Sequence, residues 1–268
     1  MIFKRFLYGI VTFVVVCAVV IGLYSHFNKQ DNTEASKEKV ALTISAAASL
    51  KESLTEVQKV YEKQHPNVKL RFNFGASGAL QQQIEKGAPV DLFFSAGKDK
   101  FAQLVNDGII LEDEYVDLVG NELVLVTPTN TESIVKKFED LKKKDVMKIS
   151  IGIPESVPAG QYAKESLENM NLWSSVEQKM VYAKDVRQVL SYVETGNIDA
   201  GIVYKTDALT SKKIEVVEEA NKQTHQPILY PVGIIDHSKS RSEAKKFYLF
   251  LQGEKSKQIF EKYGFTSK

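Results

Sequence analysis

Residues 42–66 read LTISAAASLKESLTEVQKVYEKQHP, and two periodicities inside them decide the fold class. Val40, Leu42 and Ile44 fall two apart, the period of a strand, whereas Leu50, Leu54, Val57 and Tyr61 recur at the three-to-four spacing of a helix. The chain therefore passes from strand to helix across AAAS, with Ser49 at the handover. Ser49 followed by Glu52 has the spacing of a capping box, in which the serine oxygen accepts from a backbone amide and the glutamate reaches back. A hydroxyl at a helix start is equally placed to donate to a ligand, and the local pattern leaves both readings open.

Outward from this unit the alternation repeats. Val68, Leu70, Phe72 and Phe74 alternate with Lys69, Arg71 and Asn73, and the GALQQQIEKG after them reads as a short helix. DLFFSA reads as a buried strand, and the helix over Lys98–Asn106 is closed by Asp107 and Gly108. ELVLVTP, KISIGIP and NIDAGIVY read as further strands, with helices beginning near Ala159 and Val186. Such a succession predicts an α/β protein with mostly parallel central sheets, flanking helices and right-handed crossovers. The chain changes lobe at LVGNEL (118–123) and returns at YPVGII (230–235), so residues 40–120 plus 231–268 form lobe I and 121–230 lobe II. The closing SEAKKFYLFLQGEKSKQIFEKYGF reads as one final helix with Phe247, Phe250 and Leu251 inward and its lysines in water.

Composition narrows the function classes. With 35 Lys+Arg against 34 Asp+Glu, the 268-residue chain has no basic field to gather nucleic acid. A single cysteine, Cys17, excludes an internal disulfide, and with four scattered histidines it leaves little material for a zinc site. Lys4 and Arg5 precede nineteen uncharged residues, Phe6 to Tyr24, close to the length that spans a bilayer. Residues 1–24 are thus an N-terminal membrane anchor or signal segment, and the basic flank leaves residues 25–268 on the extracytoplasmic side. Residues 25–39, polar and aperiodic, read as a flexible tether. Cys17 admits two readings: a lipid-accepting cysteine, against which Val15 and Val16 stand where small residues are wanted, or a small apolar residue inside the anchor.

Four helix starts carry the functional signal. They are Ser49 in AAASL, Ser77 between the glycines of GASGAL, Pro158-Ala159-Gly160 in VPAG, and Asp185-Val186 in KDVR, where Gln188 completes a second capping-box pattern. Helix starts that converge on one cleft present free N–H groups and positive dipole ends, which hold an anion without any cationic side chain.

In that order and spacing, AAASL, GASGALQQQIEKGAPVDLFFSA, VPAGQYAKESL, KDVRQVLSYVETGNIDAGIVY and YPVGII resemble the molybdate-binding proteins that feed ATP-driven importers, over residues 41–268. The resemblance implies a two-lobed fold of the type II periplasmic-binding-protein kind, with a hinged cleft that closes over molybdate or tungstate. It implies contacts from Ser49, Ser77 and Tyr204 through hydroxyls and from Ala159 and Val186 through amides, which meet the metal only through the oxyanion's oxygens. It further implies an ABC permease and its ATPase as partners. The chain is expected to be a monomer with no cofactor and no enzymatic activity, and its N-terminal hydrophobic segment, which is atypical of that family, is expected to hold it at the membrane, or lipid on Cys17 to do so. A fully deprotonated oxyanion needs donors alone, so Asp185 and Asp91 are expected to turn away as caps or hinge partners. Arg187 beside Val186 is expected in an ion pair rather than on the anion.

Other functions are less well served. GASG is not the GxSxG elbow of hydrolases, and His65, His225 and His237 have no recognisable catalytic partner. The same fold serves binders of sulfate, thiosulfate or phosphate, and a receptor that signals to a membrane partner would share the same sequence pattern.

Overall fold

A computed structural model describes residues 18–20, 39–130 and 133–267. The chain forms two compact units, Met1–Lys39 and Val40–Lys268. In the first, the described residues 18–20 are helical and exposed. The expected anchor over 1–24, Cys17 included, and the tether over 25–39 otherwise lie outside the described residues, except Lys39.

The second unit opens as its periodicities dictate. Strand β1 (Val40–Ala47) gives way to a 3₁₀ turn (Ala48–Leu50) and helix α1 (Lys51–Gln64), which buries Leu54, Val57 and Tyr61. β2 (Val68–Gly75) alternates as read, with Val68 and Leu70 buried and Lys69 and Arg71 turned outward, because it edges its sheet. There follow α2 (Ser77–Glu85), β3 (Leu92–Phe94), α3 (Lys98–Asn106) and β4 (Tyr115–Gly120). Gly108, at φ +68°, closes α3 in the left-handed conformation that glycine adopts without cost.

The chain then crosses into a second sheet. β5 (Leu123–Pro128), β6 (Ile149–Gly152), α4 (Pro158–Asn169), α5 (Trp173–Val176), β7 (Met180–Ala183), α6 (Val186–Glu194), β8 (Ala200–Tyr204), α7 (Lys205–Ala208) and β9 (Ile214–Glu219) succeed one another. It returns through β10 (Leu229–Ile234), α8 (Arg241–Leu251), α9 (Glu254–Lys262) and β11 (Thr266–Ser267). The single C-terminal helix expected from the sequence is two, broken at Gly253, whose amide turns back to the Phe250 carbonyl.

The sheets run β11-β4-β10-β3-β1-β2 and β7-β6-β8-β5-β9. They are mixed rather than mostly parallel. β1 pairs parallel with β2 and β3, and β6 with β7 and β8, as βαβ crossovers require. The strands beside each crossing, β4, β5 and β10, pair antiparallel with their neighbours, because a chain that leaves one sheet and later re-enters it can arrive in the opposite direction. The two crossings lie side by side, with Asn121 N donating to Ile228 O at 3.2 Å and Ala220 N to Leu123 O at 2.8 Å. One core of buried aliphatic and aromatic side chains runs through both sheets, and a smaller cluster around Phe93, Phe101 and Leu104 sits under α2 and α3.

Candidate functional site

Between the two sheets, beyond the carboxyl ends of β1, β2, β3 and β8, lies a narrow cavity of about 10 Å³. The structure brings all five expected positions to it: Ser49 and Ser77 from the first sheet's side, Ala159, Val186 and Tyr204 from the second. None is more than 4% exposed. Among the described residues its lining includes no lysine or arginine, and Asp185 is its one acidic residue.

The hydrogen bonds show which way these groups face. Ala96 N, which can only donate, reaches Ser77 Oγ at 2.9 Å, so the serine accepts there and keeps its own hydrogen for the cavity. Tyr204 donates to the Ala96 carbonyl at 3.2 Å, a long bond for a hydroxyl. Ser49 Oγ lies 3.0 Å from the hydroxyl of Tyr230. Burial, with Tyr230 and Tyr162 nearby, holds Tyr204 well above the ordinary tyrosine range, and burial with Asp207 nearby does the same for Tyr230. Both phenols are therefore donors at neutral pH. Ala159 and Val186 sit in the first turns of α4 and α6, where an amide has no carbonyl four residues back to bond.

The helix starts behave differently from one another. At α6 the capping box is real: Asp185 Oδ1 accepts from Gln188 N at 2.9 Å, and Gln188 Oε1 accepts from Lys184 N at 2.8 Å, one residue short of the cap itself. At Ser49 it is not. The serine falls inside the 3₁₀ turn and caps nothing, while Glu52 pairs with Arg187. Arg187 in turn lies 2.9 Å from the buried carboxylate of Asp207 and donates to Thr210 Oγ1 at 2.9 Å. Burial pushes Asp207 up to about 7, against the pull of Arg187 and with a smaller push from Asp185. Asp91 lies away from the cavity and accepts from Thr43 N at 2.7 Å and Ser238 Oγ at 2.6 Å.

Residues 42–266 match the family described as bacterial extracellular solute-binding protein. The chain belongs to that family. Among this solute-binding protein's relatives, YvgL of Bacillus subtilis (strain 168), named as a candidate ABC transporter substrate-binding lipoprotein, is 56% identical over 240 residues, 90% of this chain and 91% of the relative. The molybdate-binding protein ModA of Escherichia coli (strain K12) is 35% identical over 253 residues, 92% and 96% of the two chains. Among solved structures, the substrate-binding domain of a candidate molybdenum ABC transporter from Clostridium difficile superposes with a TM-score of 0.67 at 48% identity, covering 85% of this chain and 99% of that one.

In the solute-binding protein the two sides of the cavity touch directly. Gly78 N, at the start of α2, donates to Ser156 O at 2.9 Å. A Cβ built on Gly78 would sit 2.8 Å from that oxygen, and one on Gly97 would sit 2.9 Å from the Pro158 ring, so both glycines allow an approach no other residue would. The glycines of GASGAL are legible in sequence as such a signal. Tyr230 and Asn121, which reach the site from the two crossings, carry no local mark of a site role beyond their place in the stretches where the chain changes sheet.

Proposed function

We propose that this chain is an extracytoplasmic receptor that captures molybdate, and tungstate with it, and delivers it to the permease and ATPase of an ABC importer. The observation that carries the reading is the convergence of five neutral donors, on separate helix or strand ends, around one cavity whose lining, among the described residues, holds no cation. Ser49, Ser77 and Tyr204 would give hydroxyl hydrogens and Ala159 and Val186 amide hydrogens to the anion's oxygens, Tyr204 exchanging its long bond to Ala96 for one to the ligand. Positive dipole ends of α4 and α6 add to the field. A site made of neutral donors binds a dianion without a fixed ion pair to break on release, which suits a carrier that hands its cargo on.

The lobes would divide at residues 40–120 plus 231–268 and 121–230, with the paired crossings as the hinge. The receptor would act as a monomer, without cofactor or catalysis, held at the membrane by its N-terminal segment. Calorimetric titration of the chain with molybdate, tungstate, sulfate and phosphate at one ionic strength tests this directly. Saturation by one equivalent of molybdate or tungstate, with sulfate and phosphate far weaker, is expected; a tighter fit for sulfate, or no saturation by molybdate, overturns it. Ser77→Ala and Tyr204→Phe should each weaken molybdate by roughly ten- to a hundredfold, the worth of about 1 to 3 kcal/mol for a lost donor.

A further inference from the structure

The two crossings enclose a second cavity of about 260 Å³, apart from the one that Ser49 and Ser77 line. Its walls are the crossings themselves: Asn121 and Leu123 from the first, Ala220, Pro227 and Ile228 from the second. The lining is mostly apolar. Roughly 150 Å³ between apolar side chains already holds one benzene ring, so this space admits a single-ring molecule. The charges at its edge answer one another. Glu122 lies 2.5 Å from Lys205 and 2.9 Å from Lys222, and Lys205 lies 3.3 Å from Glu219. Two carboxylates meet two ammonium groups, so neither sign is left over to draw an ion. The Asn121 amide is taken up as well, its Oδ1 accepting from Glu122 N and its Nδ2 donating to Thr206 and Tyr230.

His225 is the exception. It sits in the second crossing, 9% exposed, and lines the cavity. Its Nδ1 lies 2.7 Å from the Gln226 carbonyl, which can only accept, so Nδ1 carries the hydrogen and the neutral ring keeps a bare acceptor at Nε2. Among the described residues no hydrogen bond satisfies that nitrogen. The loop around it is held in place. Asn169 Nδ2 donates to Thr224 O at 2.9 Å, Gln226 N donates to Glu165 Oε1 at 3.1 Å, and the imidazole lies tilted against Tyr162 with centroids 5.9 Å apart. A buried acceptor left without a partner carries its full desolvation penalty, so the cavity favours an occupant that brings one donor to Nε2.

We propose that this cavity is an effector site for a small neutral ring that carries one hydroxyl, phenol being the simplest. The ring fills the space between the crossings and the hydroxyl donates to His225 Nε2. The crossings are the proposed hinge, and the cavity is shaped in the arrangement where Gly78 N meets Ser156 O across the oxyanion site. An occupant therefore favours the same arrangement that molybdate would. Two ligands that favour one state raise each other's affinity by the same factor. This coupling rests on the molybdate reading above, whereas the site itself does not.

Calorimetry on the full chain and on His225→Phe compares phenol with toluene, which has a methyl group in place of the hydroxyl. Phenylalanine keeps a ring against Tyr162 and removes the acceptor, so the ratio of phenol to toluene affinity should fall by about tenfold. Absence of phenol binding to the unaltered chain, or a ratio that the variant leaves unchanged, overturns the inference. If His225→Phe does not fold, nitrogen resonances of the labelled, unaltered chain decide. Phenol should then shift the Nε2 signal of one of the four histidines and toluene should shift none; no such shift overturns the site. Saturating molybdate should raise phenol affinity by about fivefold, and saturating phenol should raise molybdate affinity equally. Phenol binding that molybdate leaves unaltered would sink the effector role. Failure of molybdate to bind, with phenol still bound through His225, would instead sink the proposed function while the site itself passes.

Discussion

At the scale of single residues, the site depends as much on what is missing as on what donates. Gly78 carries no Cβ, and the carbonyl of Ser156 occupies the space one would need, accepting the Gly78 amide at 2.9 Å. Alanine at this position is intrinsically better in a helix by up to about 1 kcal/mol. In the closed arrangement, however, its methyl would meet backbone that cannot turn aside. Gly78→Ala should therefore leave the melting temperature of the unliganded chain unchanged or slightly raised, while molybdate affinity falls by at least about tenfold because the two sides can no longer meet. Melting with and without molybdate reads both signs in one experiment. A variant that lost unliganded stability and affinity together would place Gly78 in the core of its own helix instead of at the contact.

At the scale of elements, α6 joins cap to ligand. Asp185 satisfies the Gln188 amide, holding the first turn of α6, whose Val186 amide is proposed above to meet the anion. Asp185→Ala removes a cap worth about 1 kcal/mol and should lower the melting temperature by about 2 to 4 °C for a domain of this size. It should also weaken molybdate as the turn frays. Asp185→Asn keeps the acceptor and should leave both nearly unaltered; loss of affinity in the asparagine variant would show that charge, not capping, is what the site requires. This cap is legible in sequence because Asp185 and Gln188 are three apart and act within one turn. The same spacing misleads at Ser49 and Glu52, where the carboxylate finds Arg187 in a distant helix and the serine finds Tyr230, 181 residues away. Local spacing reports what a turn can do, and a buried tertiary partner overrides it. Strand direction is hidden for a related reason. Side chains alternate identically in parallel and antiparallel strands, so β4 and β10 show nothing in sequence that marks their reversed pairing.

For the molecule as a whole, Arg187 ties the two sheets together. From the start of α6 it pairs with Glu52 on α1, across the cavity's rim, and with Asp207 behind it on α7. Asp207 is fully buried, and burial raises it to about 7 although Arg187 lies beside it. A carboxylate raised in the fold binds its proton more tightly there than in the unfolded chain, where it titrates near 4. Its contribution to stability is thus fully present below about pH 4 and is lost progressively as pH rises to about 7. Above that the ionised group costs the fold up to a few kcal/mol, since each tenfold gain in proton affinity on folding is worth about 1.4 kcal/mol. The return is position: the ionised carboxylate holds the guanidinium where Glu52 can meet it. Asp207→Asn should separate the two effects. Relative to the unaltered chain it should be markedly more stable at pH 8 and little different near pH 4, when denaturant unfolding is compared at the two pH values. At pH 8 the same variant should bind molybdate more weakly, because Arg187 loses the partner that aims it across the rim. A stability difference between the two proteins that stayed flat from pH 4 to pH 8 would mean that Asp207 is ionised throughout, and that the pairing with Arg187 outweighs its burial.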